Sequence, residues 1–362
     1  MSTLKVNTIN ASTSGQAVDV DIKNPKSFRN KVINGGMLVN QRGNQSSVTT
    51  SVYGLDRFKV QEVAAVTYDI NQSTDTPNGF GNSFHIDIQG ANSSPAASHY
   101  MQLITPLEGF DVQDFAKGTA EAKEYAVSFY IKTNVTGNYA LQITDDNSRS
   151  CSQLYTVSDT NWNRYTVIFP ADTTGAIDND NTEGLRLTWH LLVGSNQTSG
   201  TMNTTWAATT TANIAVGQNA NVASSTSNNW YITGVQLEVG SVVTDFEHKS
   251  FAEDLRLCCR YFYAATDVIA GIFICDNADQ DAAYGGVQFP VIMRAAPTVV
   301  LGDNAGNNAG VVTQHGAAHG IAATAGDIGK HGIGKVQKSS GNWDSGSAKP
   351  IAAKIASADA EL

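Results

Sequence analysis

The sequence has few charged residues, and those it has are mostly acidic. Charged side chains make up 15% of the 362 residues, and 33 Asp and Glu outnumber 23 Lys and Arg, which gives a formal net charge of −10. Binding to nucleic acid requires clustered Lys and Arg to neutralise phosphates, and no basic run occurs in the chain. The composition therefore argues against a nucleic-acid partner.

Cysteine is scarce, and long apolar runs are lacking. Cys151, Cys258, Cys259 and Cys275 include no C-x-x-C pair, so a zinc site has no support. We expect four buried free thiols, as in a protein that folds in a reducing cytoplasm. The opening 19 residues lack the apolar segment of a secretory signal, and no stretch reaches the ~20 apolar residues that a membrane helix needs. We therefore expect no membrane insertion.

What the sequence does contain is strand-like alternation. Apolar and polar residues alternate with a period of two, the pattern of a strand with one buried face, in the following segments: 84–88, 125–131, 139–143, 165–169 and 185–193. Thr, Asn, Ser and Gly dominate the polar remainder and suit strands and turns. Together these patterns predict an all-β fold built around an antiparallel sandwich.

Breaks in this pattern divide the chain into four parts. We predict an extended N-terminal leader over 1–31, the β-sandwich over 32–248, a short linking helix over 249–259 and a second, smaller β domain over 260–362. The helix is predicted from the capping box that Ser250 and Glu253 form. Strands are predicted in the last part at 260–263, 269–275, 287–293, 298–301 and 311–314.

Several segments together resemble structural proteins of tailed bacteriophages, especially those of marine cyanobacteria. The resemblance is carried by these blocks: Ser2-Thr3-Leu4-Lys5-Val6-Asn7-Thr8-Ile9, Asn34-Gly35-Gly36-Met37, Asn40-Gln41-Arg42-Gly43, Tyr53-Gly54-Leu55-Asp56-Arg57-Phe58, Ile232-Thr233-Gly234-Val235-Gln236-Leu237-Glu238-Val239-Gly240, Glu253-Asp254-Leu255, Phe289-Pro290-Val291-Ile292-Met293-Arg294 and Ala360-Glu361-Leu362. The family usually has Pro at the position of Asp245 and Gln at that of Cys259.

The resemblance implies a jelly-roll sandwich similar to carbohydrate-binding modules, mounted on a virion that assembles in the host cytoplasm. Our expectation is a homotrimeric tail fibre or tail-associated protein that contacts a host-surface glycan and attaches to other tail or capsid proteins through residues 1–31. The alternatives are a head-fibre or decoration protein without a receptor role and a glycan-active enzyme. We expect no enzyme, because no catalytic constellation is evident in the sequence.

Recognition of a glycan requires exposed aromatic rings and polar side chains for the hydroxyl groups. Trp206 is the first candidate, because the polar stretch Ser195–Asn229 around it is long, and long loops are often functional. Trp343, in another polar loop, is the second candidate. The alternative for Trp206 is that it covers one end of the core. Trp162, Trp189 and Trp230 lie within strand patterns and are expected in the core.

Two acidic turns are candidates for a structural Ca²⁺, since this ion prefers clustered oxygen ligands. The turns contain the carboxylates of Asp145, Asp146, Asp178 and Asp180. The alternative is ordinary turn chemistry, in which Asp caps its own backbone. A metal shared by His315, His319 and His331 on a trimer axis is a further hypothesis. No other cofactor is expected.

Overall fold

The computed structural model describes residues 28–265, 271–276, 279–303, 308–314, 318–343 and 350–362. Most of the predicted leader 1–31, together with His315 and the side chain of His319, therefore lies outside the described residues. The described part contains one α-helix, α1 (Phe251–Cys258), and strands β1 (Gln45–Val48), β2 (Val52–Tyr53), β3 (Lys59–Val63), β4 (Thr67–Ser73), β5 (Ser83–Gly90), β6 (Tyr100–Glu108), β7 (Tyr125–Thr133), β8 (Gly137–Asp145), β9 (Arg149–Val157), β10 (Asn163–Phe169), β11 (Glu183–Val193), β12 (Ala207–Ala208), β13 (Asn229–Val239), β14 (Phe262–Tyr263), β15 (Gly271–Asp276), β16 (Asp279–Gln288), β17 (Thr298–Gly302), β18 (Val311–Gln314), β19 (Ala318–Gly329), β20 (Gly332–Lys338) and β21 (Ile351–Asp359).

The first thirteen strands form two antiparallel sheets. Sheet A has the strand order β1-β4-β5-β13-β7-β10, and sheet B has the order β12-β9-β8-β11-β6-β3-β2. The chain passes repeatedly from one sheet to the other, as in a jelly roll. The prediction of an all-β, jelly-roll-like sandwich with a second, smaller β domain is confirmed.

The sandwich forms because both sheets present an apolar face to one core. On β7 the core side chains are those of Tyr125, Val127, Phe129 and Ile131, and on β11 every second residue from Leu185 to Leu191 is buried in the same way. The alternation read from the sequence therefore separates an inner from an outer face on each of these strands. On the outer faces lie the polar residues that could meet a ligand.

Six of the remaining eight strands form a small barrel, and the other two, β14 and β17, pair with β21. Strands β15, β16, β20, β19, β18 and β21 pair in this order, and β21 also pairs with β15, which closes the ring. One expectation here was wrong: the strand predicted at 287–293 ends at Gln288. Pro290 lacks the N–H that would continue the ladder, and Phe289 donates its own N–H to the carbonyl of His331.

The predicted linking helix is confirmed, because α1 spans Phe251–Cys258 and its N-cap Ser250 accepts a hydrogen bond from the N–H of Glu253. The free-thiol prediction is confirmed for Cys151, Cys258 and Cys259, all buried. No helix in the described residues is long and apolar enough to cross a bilayer.

Candidate functional site

A polar cleft lies on the outer face of sheet B, the side that faces away from the sandwich core. Its floor consists of side chains from three neighbouring strands, β6, β8 and β11, and it encloses about 300 Å³. We call it the polar cleft. It is lined by Tyr100, Gln102, Gln142, Thr144, Arg186, Thr188, His190, Gln197, Thr209, Thr211 and Ile214.

Strand register arranges the floor in cross-strand rows. Thr188 of β11 lies opposite Gln142 of β8, and His190 lies opposite Gln102 of β6. Residues directly opposite each other in antiparallel strands have adjacent side chains. The floor is therefore a continuous polar surface on three hydrogen-bonded strands, which holds its side chains in fixed relative positions.

The segment between β11 and β13 builds one wall of the cleft. This is the polar stretch in which the sequence suggested a functional loop, and it contributes Gln197, Thr209, Thr211 and Ile214. Backbone hydrogen bonds fix it: Gly200 donates to the carbonyl of Ala212 at 2.8 Å, and Ala215 donates to that of Gln197 at 2.9 Å. The wall is thus an ordered structure.

Several buried polar atoms in the cleft have no partner within the protein. Both ring nitrogens of His190, which is 2% exposed, lack a hydrogen bond, as do Oε1 of Gln197 and Nε of Arg186. Buried polar groups in folded proteins are nearly always hydrogen-bonded, because an unsatisfied group costs about 1–3 kcal/mol. All three residues line the cleft, so its lining offers polar groups without a protein partner, as a site for a polar ligand requires.

The electrostatics of the cleft are unusual for so acidic a protein. None of the described residues that line it carries a carboxylate. The guanidinium of Arg186 binds Glu183 through Nη2 at 2.7 Å, which leaves Nε facing no acceptor. Burial lowers the pKa of His190 to about 4, so its imidazole is neutral near pH 7 and offers one donor and one acceptor.

The structure does not support Trp206 as an exposed stacking ring. Trp206 is 8% exposed and packs against Tyr125 with ring centroids 5.5 Å apart, while its Nε1 donates to the carbonyl of Pro170 at 2.8 Å. The ammonium of Lys117 lies 4.6 Å from its ring centroid. The polar stretch around Trp206 does contribute to the cleft, but through other residues, and the indole itself covers one end of the core.

Trp343 is also buried. It is 1% exposed and belongs to the core of the barrel, which excludes it as a surface platform in this structure. Trp189 and Trp230 are core residues as expected. Trp162 was expected in the core, and this expectation was wrong. Its side chain is only half-buried, on the outer side of sheet A, where its Nε1 donates to Asp75 at 2.9 Å.

The two acidic turns do come together in space, since the N–H of Asp178 donates to Asp146 at 3.2 Å. The carboxylates of Asp145, Asp146 and Asp180 already have partners, however. Asp145 forms a buried ion pair with Lys117, and Oδ1 of Asp180 accepts hydrogen bonds from the backbone and hydroxyl of Thr182. No group of three or more potential metal ligands occurs within the described residues. The structural Ca²⁺ predicted at Asp145, Asp146, Asp178 and Asp180 stays a prediction.

A larger crevice, of about 1050 Å³, separates α1 from the barrel. Its most conspicuous group is Arg42, whose guanidinium lies 3.6 Å from the ring centroid of Phe262 and forms ion pairs with Asp359 and Glu361. These contacts join the sandwich to the barrel. We therefore interpret the crevice as part of the junction between the two β units.

The sequence contained a signal for the cleft residues that was read only for the core. The alternation that turns Leu187 and Trp189 towards the core places Arg186, Thr188 and His190 on the opposite face of the sheet, beneath the polar cleft. Sequence alone could not reveal that the strands β6, β8 and β11 are neighbours, because their pairing is long-range.

Comparison with known proteins gives only distant similarities. No family model and no curated protein matches the chain. A family 11 carbohydrate-binding module from Clostridium thermocellum, in complex with a β-1,3-1,4-mixed-linked tetrasaccharide, is 12% identical; the match covers 57% of this chain and 98% of the module, with a TM-score of 0.28. TmCBM61, in complex with β-1,4-galactotriose, is 11% identical, with 58% and 99% covered and a TM-score of 0.30. Because these identities and TM-scores are low, the function of this chain has to be argued from the polar cleft itself.

Proposed function

We propose that this chain is a glycan-binding protein and that the polar cleft of sheet B holds the sugar. The observation that carries the proposal is the set of unpartnered polar atoms on Arg186, His190 and Gln197, which converge on a cleft beside the ring of Tyr100. Sugar hydroxyl groups both donate and accept hydrogen bonds, so they would satisfy these atoms. Ligand sites typically combine such fixed polar groups with an aromatic wall.

The cleft has room for only a short stretch of glycan, so each site would bind weakly. A cleft of about 300 Å³ lies at the small end of ligand sites. Weak sites become effective when several copies act on one surface. This fits the resemblance of the sequence to tailed-phage structural proteins, and we propose that the chain belongs to a virion appendage that contacts a host-surface glycan.

Glycan-array screening followed by titration calorimetry tests the binding proposal. Gln142→Ala should weaken binding of any array hit at least 10-fold, since Gln142 lines the floor beside Thr188 of its middle strand, β11. The matched control is Gln89→Ala, which removes an exposed Gln from the outer face of sheet A and should leave the affinity unchanged. A folded protein that binds no glycan on the array would overturn the proposal.

Immunogold labelling of virions tests where the protein is located. Label on tail appendages supports a fibre or tail role, and label on the head favours the decoration alternative.

Incubation with host polysaccharide tests the enzyme alternative, because release of reducing ends would reveal a hydrolase.

The proposed homotrimer has a candidate contact surface on the barrel. Ile272 and Ile274 of β15 and Tyr284 of β16 are large apolar residues with exposed fractions of 60%, 58% and 43%. Ile274 and Tyr284 are paired across these neighbouring strands, so they form one apolar patch. Light scattering should give three times the chain mass for the wild type and a smaller mass for Ile274→Asp.

A further inference from the structure

Among the described residues that line the polar cleft, one side chain is charged near pH 7, that of Arg186. Its guanidinium is paired: Nη2 donates to both oxygens of the Glu183 carboxylate, at 2.7 and 2.8 Å. Glu183 itself does not line the cleft. The charge of the cleft is therefore neutralised from outside it, and the unpartnered Nε of Arg186 remains as a donor for a ligand.

The contact between Glu183 and Arg186 depends on an irregularity in β11. Residues three apart on a regular strand point to opposite faces of the sheet, so Glu183 would normally face away from Arg186. The register of β11 against β6 shifts at Gly184, where Glu183 lies opposite Glu108. This β-bulge turns Glu183 to the outer face. A Cβ at Gly184 would lie 2.7 Å from Cα of Gly109, so a larger residue would collide with the backbone there.

The other ionisable groups beside this pair add no free charge. The carboxylate of Glu108, which lies opposite Glu183, is 1% exposed and accepts two hydrogen bonds of 2.7 Å from Arg260. Burial lowers the pKa of His190 to about 4, so its imidazole is neutral near pH 7. The charges on this part of sheet B therefore cancel in pairs, which leaves the cleft electrically neutral.

We propose, on the basis of the glycan-binding function above, that Glu183 is a specificity-determining residue that makes the polar cleft select uncharged sugars. An acidic sugar would have to displace the Glu183 carboxylate from Arg186 or enter the cleft without a counter-charge. Either event leaves a carboxylate unpaired and partly desolvated, which is unfavourable. A neutral hydroxyl group can accept a hydrogen bond from Nε of Arg186 without separating any charge pair.

The test is a glycan array that carries neutral gluco-, galacto-, xylo- and manno-oligosaccharides beside oligogalacturonate, alginate and hyaluronate oligosaccharides. It is probed at pH 7 with the full chain. The wild type should bind neutral members and no acidic ones. Glu183→Gln frees the guanidinium, so the ratio of acidic to neutral signal should rise at least about 3-fold in about 20 mM NaCl. The rise should disappear in about 0.5 M NaCl, because salt screens partly exposed charges.

Two variants distinguish charge masking from a structural effect of the substitution. Adding Arg186→Gln to Glu183→Gln should abolish the gain in acidic signal, because the cation that attracts acidic sugars is then absent. Glu253→Gln is the matched control, since it breaks another i, i+3 pair, with Arg256 on the exposed face of α1, and removes the same charge. It should leave the ratio of acidic to neutral signal unchanged.

A variant on the cleft wall keeps the test independent of the bulge, in case Glu183→Gln does not fold. Thr211 is exposed at the rim of the cleft, so Thr211→Lys adds a cation that has no partner without altering β11. It should raise the acidic signal as Glu183→Gln does. Thr50→Lys, at an exposed position outside the cleft, should not.

Three results would count against the inference in different ways. A wild type that binds acidic members as strongly as neutral ones would overturn the selectivity and leave glycan binding standing. A folded Glu183→Gln with the wild-type ratio, or a gain that survives in the double variant, would show that Glu183 does not act by masking Arg186. Absence of binding to every member of the array would overturn the proposed function itself.

Discussion

Trp206 shows how strongly one residue can depend on contacts that are distant in sequence. Its indole packs on Tyr125, bonds to the carbonyl of Pro170 and lies beside the ammonium of Lys117. That ammonium is itself held by the buried carboxylates of Asp145 and Asp172. The ring therefore closes a buried ionic cluster as well as one end of the core.

We predict that Trp206→Ala destabilises the protein by about 3–5 kcal/mol, because it leaves a cavity in the core. Trp206→Phe keeps most of the ring and loses only the bond to Pro170, so it should cost less. Urea unfolding followed by circular dichroism measures both. A Trp206→Ala midpoint close to that of the wild type would contradict the packing described here.

His190 should make the protein less stable in acid. Burial lowers its pKa to about 4 in the folded state, whereas the unfolded value is about 6.5. Between these values the unfolded chain binds the proton and the folded protein does not, so stability falls as the pH drops from about 6.5 towards 4. The loss from this one group should reach about 2 kcal/mol at pH 5.

His190→Gln should remove this part of the acid sensitivity. The measurement is the free energy of unfolding at pH 7.5 and pH 5 for both proteins in the absence of glycan. The wild type should lose about 2 kcal/mol more than the variant over this interval. Identical losses would mean that the imidazole is protonated in the folded protein or is open to water.

The candidate site could be predicted only in part, because the burial of a single side chain depends on residues that are distant in the sequence. The sequence singles out the polar stretch Ser195–Asn229 as a functional loop, and part of it forms the cleft wall; that this wall binds a ligand stays a prediction. Within it, local polarity favoured Trp206 as the exposed ring, yet burial is decided by the strands that fold against the stretch. Arg186 and His190 share one face of β11 by simple alternation, but the side chains of β6 and β8 that complete the cleft floor are brought there by long-range strand pairing.

Among the secondary-structure elements, α1 begins with only one of the two hydrogen bonds of a capping box. Ser250 Oγ accepts the N–H of Glu253 at 3.2 Å, but the Glu253 carboxylate turns to Arg256, with contacts of 3.0 and 2.8 Å, and does not reach back to Ser250. One half of the reciprocal motif is therefore present. The i, i+3 ion pair on the exposed face replaces the other half.

We predict that Ser250→Ala costs about 1 kcal/mol, the usual effect of losing an N-cap. Ser250→Asp keeps an acceptor at the same position and should cost little. Leu255 is only half-buried at the crevice, so Leu255→Ala should cost less than the 2–5 kcal/mol typical of core leucines. Thermal melting of the three variants checks the order.

Strands with clean alternation were predictable, whereas two strands of sheet B gave no such pattern. Strand β6 is buried almost throughout from Leu103 to Glu108 and includes Pro106, a residue that argues against a central strand. Pro106 is tolerated because β3 pairs only as far as Ile104, and the side beyond it is occupied by Arg57, which donates to the Pro106 carbonyl at 2.6 Å. Strand β9 carries small polar residues that lack a strand signature.

At the scale of the whole molecule, ion pairs connect the sandwich to the barrel. Arg57, 1% exposed, pairs with Glu361 and stacks on Tyr261 with 3.5 Å between its guanidinium carbon and the ring centroid. Arg260 holds the buried carboxylate of Glu108 through two bonds of 2.7 Å. Each pair joins the two units. Separating the units would therefore expose a charged side chain to water or leave it buried without its partner.

We predict that Glu361→Gln destabilises the protein by about 3–5 kcal/mol, because it leaves the buried guanidinium of Arg57 without its counter-charge. The matched control is Arg256→Ala, which breaks an exposed pair with Glu253 and should cost less than about 1 kcal/mol.

Differential scanning calorimetry distinguishes a local from a global effect of Glu361→Gln. If the junction couples the two units, the wild type should unfold in one transition and Glu361→Gln in two, with the barrel melting first because its core cluster is smaller than that of the sandwich. A single, unshifted transition in the variant would show that the buried pair contributes nothing to holding the units together.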